Sequence, residues 1–223
     1  MLFRICFIVI GYFFGLIQTA FIYGKLHGID IREHGSGNAG TTNTLRVLGT
    51  KAGLVVFFGD SFKCILAILV TVALFQSKCD IHKLLIGAYT ATGVIFGHNF
   101  PFYMNFKGGK GIAATAGLII SFWILTGNIW FFIIGNLAFF GVFFITHYVS
   151  LGSLVLYITF FVMCLVMGTM GLFEGISSVQ LTEMYIVIIV LLVMAFWRHR
   201  SNIKKLIKGE ERKTYLLKKN KAN

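Results

Sequence analysis

Two lysines, Lys107 and Lys110, bracket Gly108 and Gly109 in the stretch HNFPFYMNFKGGKGIAATAG from His98 to Gly117, and Gly111 follows them. Glycines let a backbone come close to a ligand and turn its N–H groups toward it. The apolar run that begins at Ile112 predicts a helix, whose first turn adds unpaired N–H donors and a partial positive charge. The lysines add two full charges. This combination suits an anion, most naturally a phosphate. The plainer alternative is a loop between two membrane helices whose lysines sit in water.

A second polar, glycine-rich segment, GSGNAGTTNTLRVLG, runs from Gly35 to Gly49. Its first six residues match G-x-G-x-x-G by letter. A dinucleotide fingerprint needs a preceding strand in a βαβ unit, and an apolar helix precedes this one. A backbone anion nest does not need that fold. Ser36, Asn38, Thr42 and Asn43 add hydroxyl and amide groups, Gly40 adds backbone freedom, and Arg46 adds a planar fork suited to phosphate. A flexible loop is the alternative. Asp60 and Lys63 lie three apart in an apolar run, on one helix face. Charges there are costly and suggest function, but a pair that neutralises itself accounts for them equally well. His98 and His147 end apolar runs, where a histidine is more often a local cap than a catalyst. His199 and Asn202 lie about one turn apart beyond the last run.

Several chemistries are excluded. A Walker A loop needs Gly at 104 and Ser or Thr at 111, and the residues are Met104 and Gly111. There is no H-E-x-x-H and no G-x-S-x-G elbow, so no nucleophile–base pair stands out. The four cysteines, Cys6, Cys64, Cys79 and Cys164, form no C-x-x-C pair, and no metal site or disulfide framework is expected.

The elements that must hold these groups are membrane helices. The chain of 223 residues is 57% hydrophobic and only 13% charged, with mean hydropathy +0.83. That is too apolar for a soluble domain. The apolar residues come in long unbroken runs, not in the alternation of a transmembrane barrel. The expected fold is an all-α integral membrane protein with about seven transmembrane helices in one bundle. The runs are Phe3 to Tyr23, Leu54 to Phe75, Lys83 to Gly97, Ile112 to Leu125, Asn128 to Tyr148, a sixth that follows a break at Ser150 to Ser153 and reaches about Met170, and Met184 to Trp197. The fourth and seventh are short for a crossing. Gly11 and Gly15, four apart, predict a close helix contact in the first. Residues 1–197 form the membrane domain, and residues 198–223 a basic cytoplasmic tail that contributes to the site.

The net charge of +12 could suggest nucleic acid, but basic cytoplasmic loops explain it better, and no nucleic-acid partner is expected. With the N-terminus outside and the C-terminus cytoplasmic, the loops at 25–51, 98–111 and 148–153 share the cytoplasmic side with the tail. The opposite loops then hold Lys78, Lys83, Glu174 and Glu183. Every candidate motif falls on one face. No internal repeat is present, which disfavours an inverted-repeat transporter.

These motifs, in this order over nearly the whole chain, resemble the bacterial acyl-phosphate-dependent glycerol-3-phosphate 1-O-acyltransferases (the PlsY family). The carriers are GSGNAGTTNTLR, D-x-x-K at Asp60 and Lys63, GHNFP followed by FKGGKGIAAT, YVSLGS at Tyr148 to Ser153, and RHRSNI at Arg198 to Ile203. The resemblance implies transfer of a fatty acyl group from acyl phosphate to the 1-hydroxyl of sn-glycerol 3-phosphate, giving lysophosphatidate and phosphate in phospholipid synthesis. It implies a multi-pass protein of the bacterial inner membrane with a cytoplasmic-face site and no cofactor. Its partners would be the two substrates, membrane lipids and the soluble phosphate acyltransferase that makes acyl phosphate. Carried over by motif position, Lys110, Arg46 and Ser36 are the expected catalytic residues. Asn38, Gly40, Thr42, Asn43, Lys107, Gly108, Gly109, Gly111, Ser153, His199 and Asn202 are the expected phosphate-binding set. His98, Asp60 and Lys63 have no assigned role. Cys64 and Asn105 stand where the family commonly has Gly.

The chemistry agrees. Two phosphorylated substrates need dense positive charge. An acyl phosphate is already activated, so attack by a hydroxyl needs alignment, charge neutralisation and oxyanion stabilisation but no covalent acyl-enzyme. A substrate phosphate oxygen is one candidate proton acceptor. The rival readings are a transporter or channel for a phosphorylated metabolite and a scaffold with a lipid-binding tail.

Overall fold

The computed structural model describes residues 1–215, and every regular element among them is helical. The α-helices are α1 (Leu2–Gly15), α2 (Thr19–Leu26), α3 (Thr41–Leu48), α4 (Thr50–Phe75), α5 (Lys83–Asn99), α6 (Ile112–Thr126), α7 (Trp130–Thr146), α8 (Val149–Thr169), α9 (Ser178–Arg198) and α10 (Arg200–Ile207). Single 3-10 turns occupy Ile31–Glu33 and Phe102–Met104. The stretch Leu2–Leu26, α4, α8 and α9 are long and apolar enough to cross a bilayer. α5, α6 and α7 are shorter, at 17, 15 and 17 residues. At ~1.5 Å per residue, α6 is about 22 Å long against a hydrocarbon core of about 30 Å.

The apolar helices follow the seven runs expected from the sequence, with three corrections. Ser150 to Ser153, expected as a break between runs, lie in the first turns of α8, which starts at Val149. The last helix is not short. It starts at Ser178 and has 21 residues. Thr182 and Glu183 made its first turns look like loop. Ser177 caps the helix by accepting from the Gln180 N–H, and Glu183 is paired with Arg4 and accepts the Tyr89 hydroxyl at 2.6 Å. The first run is not one helix. It breaks between Gly15 and Thr19, where other elements claim its backbone. Gln18 Nε2 donates to Gly15 O at 3.1 Å and also to the carbonyls of Gly97 and His98 on α5. Lys63 Nζ donates to the carbonyls of Gly15 and Ile17. Backbone groups freed from a helix at this depth must find such partners.

Lipid tails are as apolar as leucine, so helix association here rests on close van der Waals fit. α1 and α5 meet along small residues. A Cβ on Gly11 would lie 2.0 Å from Thr90 O, and one on Gly15 2.3 Å from Val94 O. Gly93 and Gly97 reciprocate against Ile8 O and Tyr12 O at 2.1 and 2.3 Å. The expected close contact at Gly11 and Gly15 is therefore present, and its partner is a second glycine pair on α5. α4 and α6 do the same at Gly117, whose Cβ would lie 2.3 Å from Ser61 O and 2.9 Å from Cys64 Cβ. The small residue of this contact sits on α6, which leaves room for Cys64 on α4. Ser61 Oγ donates to Ala113 O at 2.8 Å across the same seam. Further along, Phe122, Phe131 and Phe160 pack edge-on, with Phe122 5.6 and 5.2 Å from the other two rings.

At one end of the bundle a smaller apolar cluster of Ala20, Ile31, Ala39, Val56 and Met104 lies beneath both glycine-rich segments. It gives two polar loops a common floor. Tyr103 ties the second loop to the broken helix by donating to Leu16 O at 2.6 Å.

Candidate active site

The second glycine-rich loop is held by the end of α5. Gly108 and Gly109 donate their N–H groups to Asn99 O and His98 O at 3.2 and 3.1 Å. Arg198, at the end of α9, donates to the carbonyls of Gly108 and Gly109 at 3.1 and 2.6 Å. A Cβ on Gly108 would lie 2.0 Å from His98 O, and one on Gly109 2.1 Å from His98 Nε2 and 2.7 Å from Ala39 O. No other residue fits at these positions. Gly111, at φ +82°, starts α6 from the left-handed region. Asn105, at φ +53°, is also left-handed; Asn tolerates this better than most non-glycine residues, so its replacement of the common Gly leaves the turn intact. Lys107 is exposed at the rim, while Lys110 is mostly enclosed.

The first segment meets this loop where Ala39 O faces Gly109. Ser36 is exposed, and its N–H and hydroxyl donate to Asn43 Oδ1 at 2.7 and 3.1 Å. Asn43 is buried, and its Nδ2 donates to Ile31 O and His34 O at 3.0 and 2.9 Å. Asn43 thus braces the turn that presents Ser36, with its side chain directed at its own loop. Gly40 precedes α3 and Asn38 stands beside it, with a Gly40 Cβ only 3.0 Å from Asn38 Nδ2. Thr42 is half-buried in the first turn of α3. One turn on, Arg46 donates to Thr214 Oγ1 at 2.7 Å and to Arg212 O at 3.2 Å.

The segment beyond α9 reaches the same loops. Lys110 Nζ donates to Asn202 Oδ1, and Asn202 Nδ2 donates to Glu211 Oε1 at 2.7 Å. Ser150 Oγ donates to the same Glu211 oxygen at 2.9 Å. Thr214 N–H donates to His147 O at 2.9 Å, and His147 itself is the left-handed cap of α7. Ser153 lies one turn beyond Ser150 and bonds back to Val149 O at 2.7 Å within α8. The last eight residues of the expected tail, 216–223, lie outside the described residues.

Burial shifts the protonation of these groups. Lys110 is pushed down to about 8, first by desolvation and then by Arg198, Arg46 and Lys205, while Glu211 opposes the shift. Arg46 is lowered by desolvation, with Glu211 again opposing; a guanidinium stays charged regardless. His199 falls to about 4, through burial and then Lys110. It is neutral near pH 7, and its Nδ1, 2.8 Å from Ala195 O, is the donor in that contact. Its Nε2 is left with a lone pair.

Asn202, from a distant segment, thus joins Lys110 to Glu211, whose charge also acts on Lys110 and Arg46. Asp60, Lys63 and His98 lie behind the loop as a buried group. Lys63 Nζ is 2.8 Å from Asp60 Oδ1 and 3.0 Å from His98 Nδ1. The two charges do pair with each other. Removing one member of such a buried pair typically costs about 3–5 kcal/mol.

Sequence reading passed over Asn99, Arg198, Glu211, Thr214 and Ser150. Asn99 is buried, and neither atom of its amide has a hydrogen-bond partner among the described residues; Thr41 Oγ1 and Arg198 Nε share this condition. The available signals were weak: an Asn inside GHNFP, and an acid in a tail that is otherwise basic.

The family model described as glycerol-3-phosphate acyltransferase matches residues 5–209. The glycerol-3-phosphate acyltransferase of Bacillus subtilis (strain 168) is 39% identical over 209 residues, covering 92% of this chain and 95% of the relative. That of Halalkalibacterium halodurans is 37% identical over 212 residues, covering 92% and 93%. The crystal structure of PlsY (YgiH), an integral membrane glycerol 3-phosphate acyltransferase, is 29% identical, covers 96% of each chain, and superposes with TM-scores of 0.78 in its glycerol 3-phosphate form and 0.76 in its lysophosphatidic acid form. Over nearly its whole length the chain belongs to the glycerol-3-phosphate acyltransferase family, and it is an acyltransferase.

Proposed function

We propose that this protein transfers a fatty acyl group from acyl phosphate to the 1-hydroxyl of glycerol 3-phosphate, without an acyl-enzyme, in the bacterial inner membrane. The observation that carries the reading is the meeting of Lys110 with Asn202, beside Arg46 and between two glycine-rich loops. Two phosphates repel each other unless positive charge lies between them. Lys110 and Arg46 supply that charge in a partly dry site, where it acts more strongly than in water. Ser36, Asn38 and Thr42 belong to the segment whose Ala39 O faces Gly109, and on this reading they line the site together with the backbone of Gly108 to Gly111. The unpartnered atoms of Asn99, Thr41 and Arg198 favour a polar ligand there.

The acyl phosphate brings its own leaving group, so the residues need to align, neutralise and stabilise. His199, at about 4, is a weak base at neutral pH, which favours a substrate phosphate oxygen as proton acceptor. Lys107 at the rim draws anions inward. The positive-inside pattern supports seven crossings with the N-terminus outside and the site at the cytoplasmic face. The short α6 has a glycine loop as its extension toward the surface. The soluble enzyme that makes acyl phosphate is the expected supplier.

The test is direct. Purified protein is given labelled glycerol 3-phosphate with acyl phosphate, acyl-CoA or acyl carrier protein as donor. Lysophosphatidate should form with acyl phosphate alone. Equal product from acyl-CoA would reject the donor, and flux of glycerol phosphate into liposomes without product would favour the transporter reading.

A further inference from the structure

Asp60, Lys63 and His98 are 1%, 4% and 3% exposed, and the reaction above leaves them without a task. Their contacts assign one. An ammonium has three N–H donors and no lone pair, so each of its partners must accept. The partners of Lys63 Nζ are Asp60 Oδ1, the carbonyls of Gly15 and Ile17, and His98 Nδ1 at 3.0 Å. The same Asp60 oxygen also takes the Thr19 hydroxyl at 2.9 Å, which fixes the carboxylate against Lys63. Four acceptors surround three protons, and Gly15 O at 3.3 Å is the longest of the contacts. An N–H on His98 Nδ1 would point at an ammonium only 3.0 Å away, so the bare nitrogen is the one that fits there. The proton of the neutral ring then sits on Nε2.

Nε2 is the atom that faces the phosphate loop. It would lie 2.1 Å from a Cβ on Gly109, at the seam where Gly109 meets Ala39 O. The same residue's carbonyl accepts the Gly109 N–H at 3.1 Å. His98 thus holds Gly109 by its backbone and aims one N–H across it. His199 has the opposite arrangement, with its Nδ1 directed at a helix carbonyl. The two site histidines offer one donor and one lone pair.

We propose that Asp60 and Lys63 are positioning residues that lock His98 as the Nε2–H tautomer, and that this N–H binds a phosphate oxygen of a substrate seated on Gly109. The inference rests on the acyltransfer reading only in naming that substrate. The same oxygen chemistry belongs to acyl phosphate and to glycerol 3-phosphate, and separate KM values distinguish them. Lys63 acts through His98 and touches no substrate. The break between α1 and α2 is part of this device, because it frees the carbonyls that hold the ammonium in place.

Two experiments test this. In protein labelled with ¹⁵N at histidine, with His98→Asn used to assign the signal, wild type should show a bare Nδ1 and a protonated Nε2. Lys63→Met should give mixed tautomers. A protonated Nδ1 in wild type overturns the proposal whatever the enzyme acylates. In the second, His98→Gln, whose amide nitrogen reaches the Nε2 position, is compared with His98→Asn, whose amide reaches only the Nδ1 position. His98→Asn should raise KM for one phosphorylated substrate by about ten- to a hundredfold, the range of a hydrogen bond to a charged group. His98→Gln should stay within a few-fold of wild type. Equal losses in the two variants, or the better activity in His98→Asn, would overturn the donor role. Both variants leave the Lys63–Asp60 pair intact, so the comparison survives if Lys63→Met does not fold.

Discussion

Lys110 donates to the side-chain oxygen of Asn202, 92 residues further along the chain. The bond joins a glycine loop between α5 and α6 to a short helix beyond α9. Asn202 is held in turn by Glu211, which also takes the Ser150 hydroxyl. One carboxylate thus orders the tail and tempers the burial of two cations.

The charge clamp is open to substitution. Lys110→Ala and Arg46→Ala should each lower turnover by about a hundredfold or more, as loss of a preorganised electrostatic contact does. Steady-state rates with acyl phosphate decide this, and near-normal rates would reject the clamp.

Affinity for glycerol 3-phosphate should fall as pH rises through about 8. Lys110 is lowered to about 8 by burial, so its ammonium is present below that pH and lost above it. KM should therefore climb on the alkaline side. Lys110→Arg keeps its charge and should flatten the profile. Glu211 holds the Lys110 value up, so Glu211→Gln should start the climb at lower pH. If wild type and Lys110→Arg share one profile, Lys110 is not the titrating group.

Gly109→Ala should abolish most activity, because its methyl would lie 2.1 Å from His98 Nε2 and 2.7 Å from Ala39 O, and the loop must move away. Gly28 makes a useful control. It has φ +75° but nothing within 4 Å of an added Cβ. Gly28→Ala should cost only the left-handed strain of about 1–2 kcal/mol and leave kcat unchanged. Comparable kcat values for the two variants would remove the argument that the loop is tightly seated.

At the opposite end of the bundle, Arg4 forms a two-pronged pair with Glu183, with Tyr89 on the same carboxylate. The pair is partly exposed, at 29% and 22%. Glu183→Gln should thus cost about 1 kcal/mol or less and lower the melting midpoint in detergent by about 2–4 °C. Turnover should not change. A tenfold loss of kcat would mean that this end communicates with the site.

Hydrophobicity was enough to read an all-helical membrane protein and to place its apolar runs, because a bilayer forces backbone polar groups into helices. The glycine–lysine and glycine–serine motifs could be read as candidate anion loops from local features: glycine, a helix start and nearby charge act within a few residues. Three things were not legible. The break between α1 and α2 depends on Gln18 and on Lys63 of another helix, and an apolar run gives no sign of it. The start of α9 depends on a cap and on a distant arginine that neutralises Glu183. Glu211, Thr214 and Arg198 join the candidate site through contacts with residues far away in sequence, Asn99 is buried beside it with an unpartnered amide, and their own neighbours give no motif. The amino-acid sequence by itself determined the class of element and the chemistry each loop could offer. Only the tertiary structure decided which loops share one space and which polar atoms are left over for a ligand, because hydrogen-bond partners and desolvation are set by what packs across the bundle.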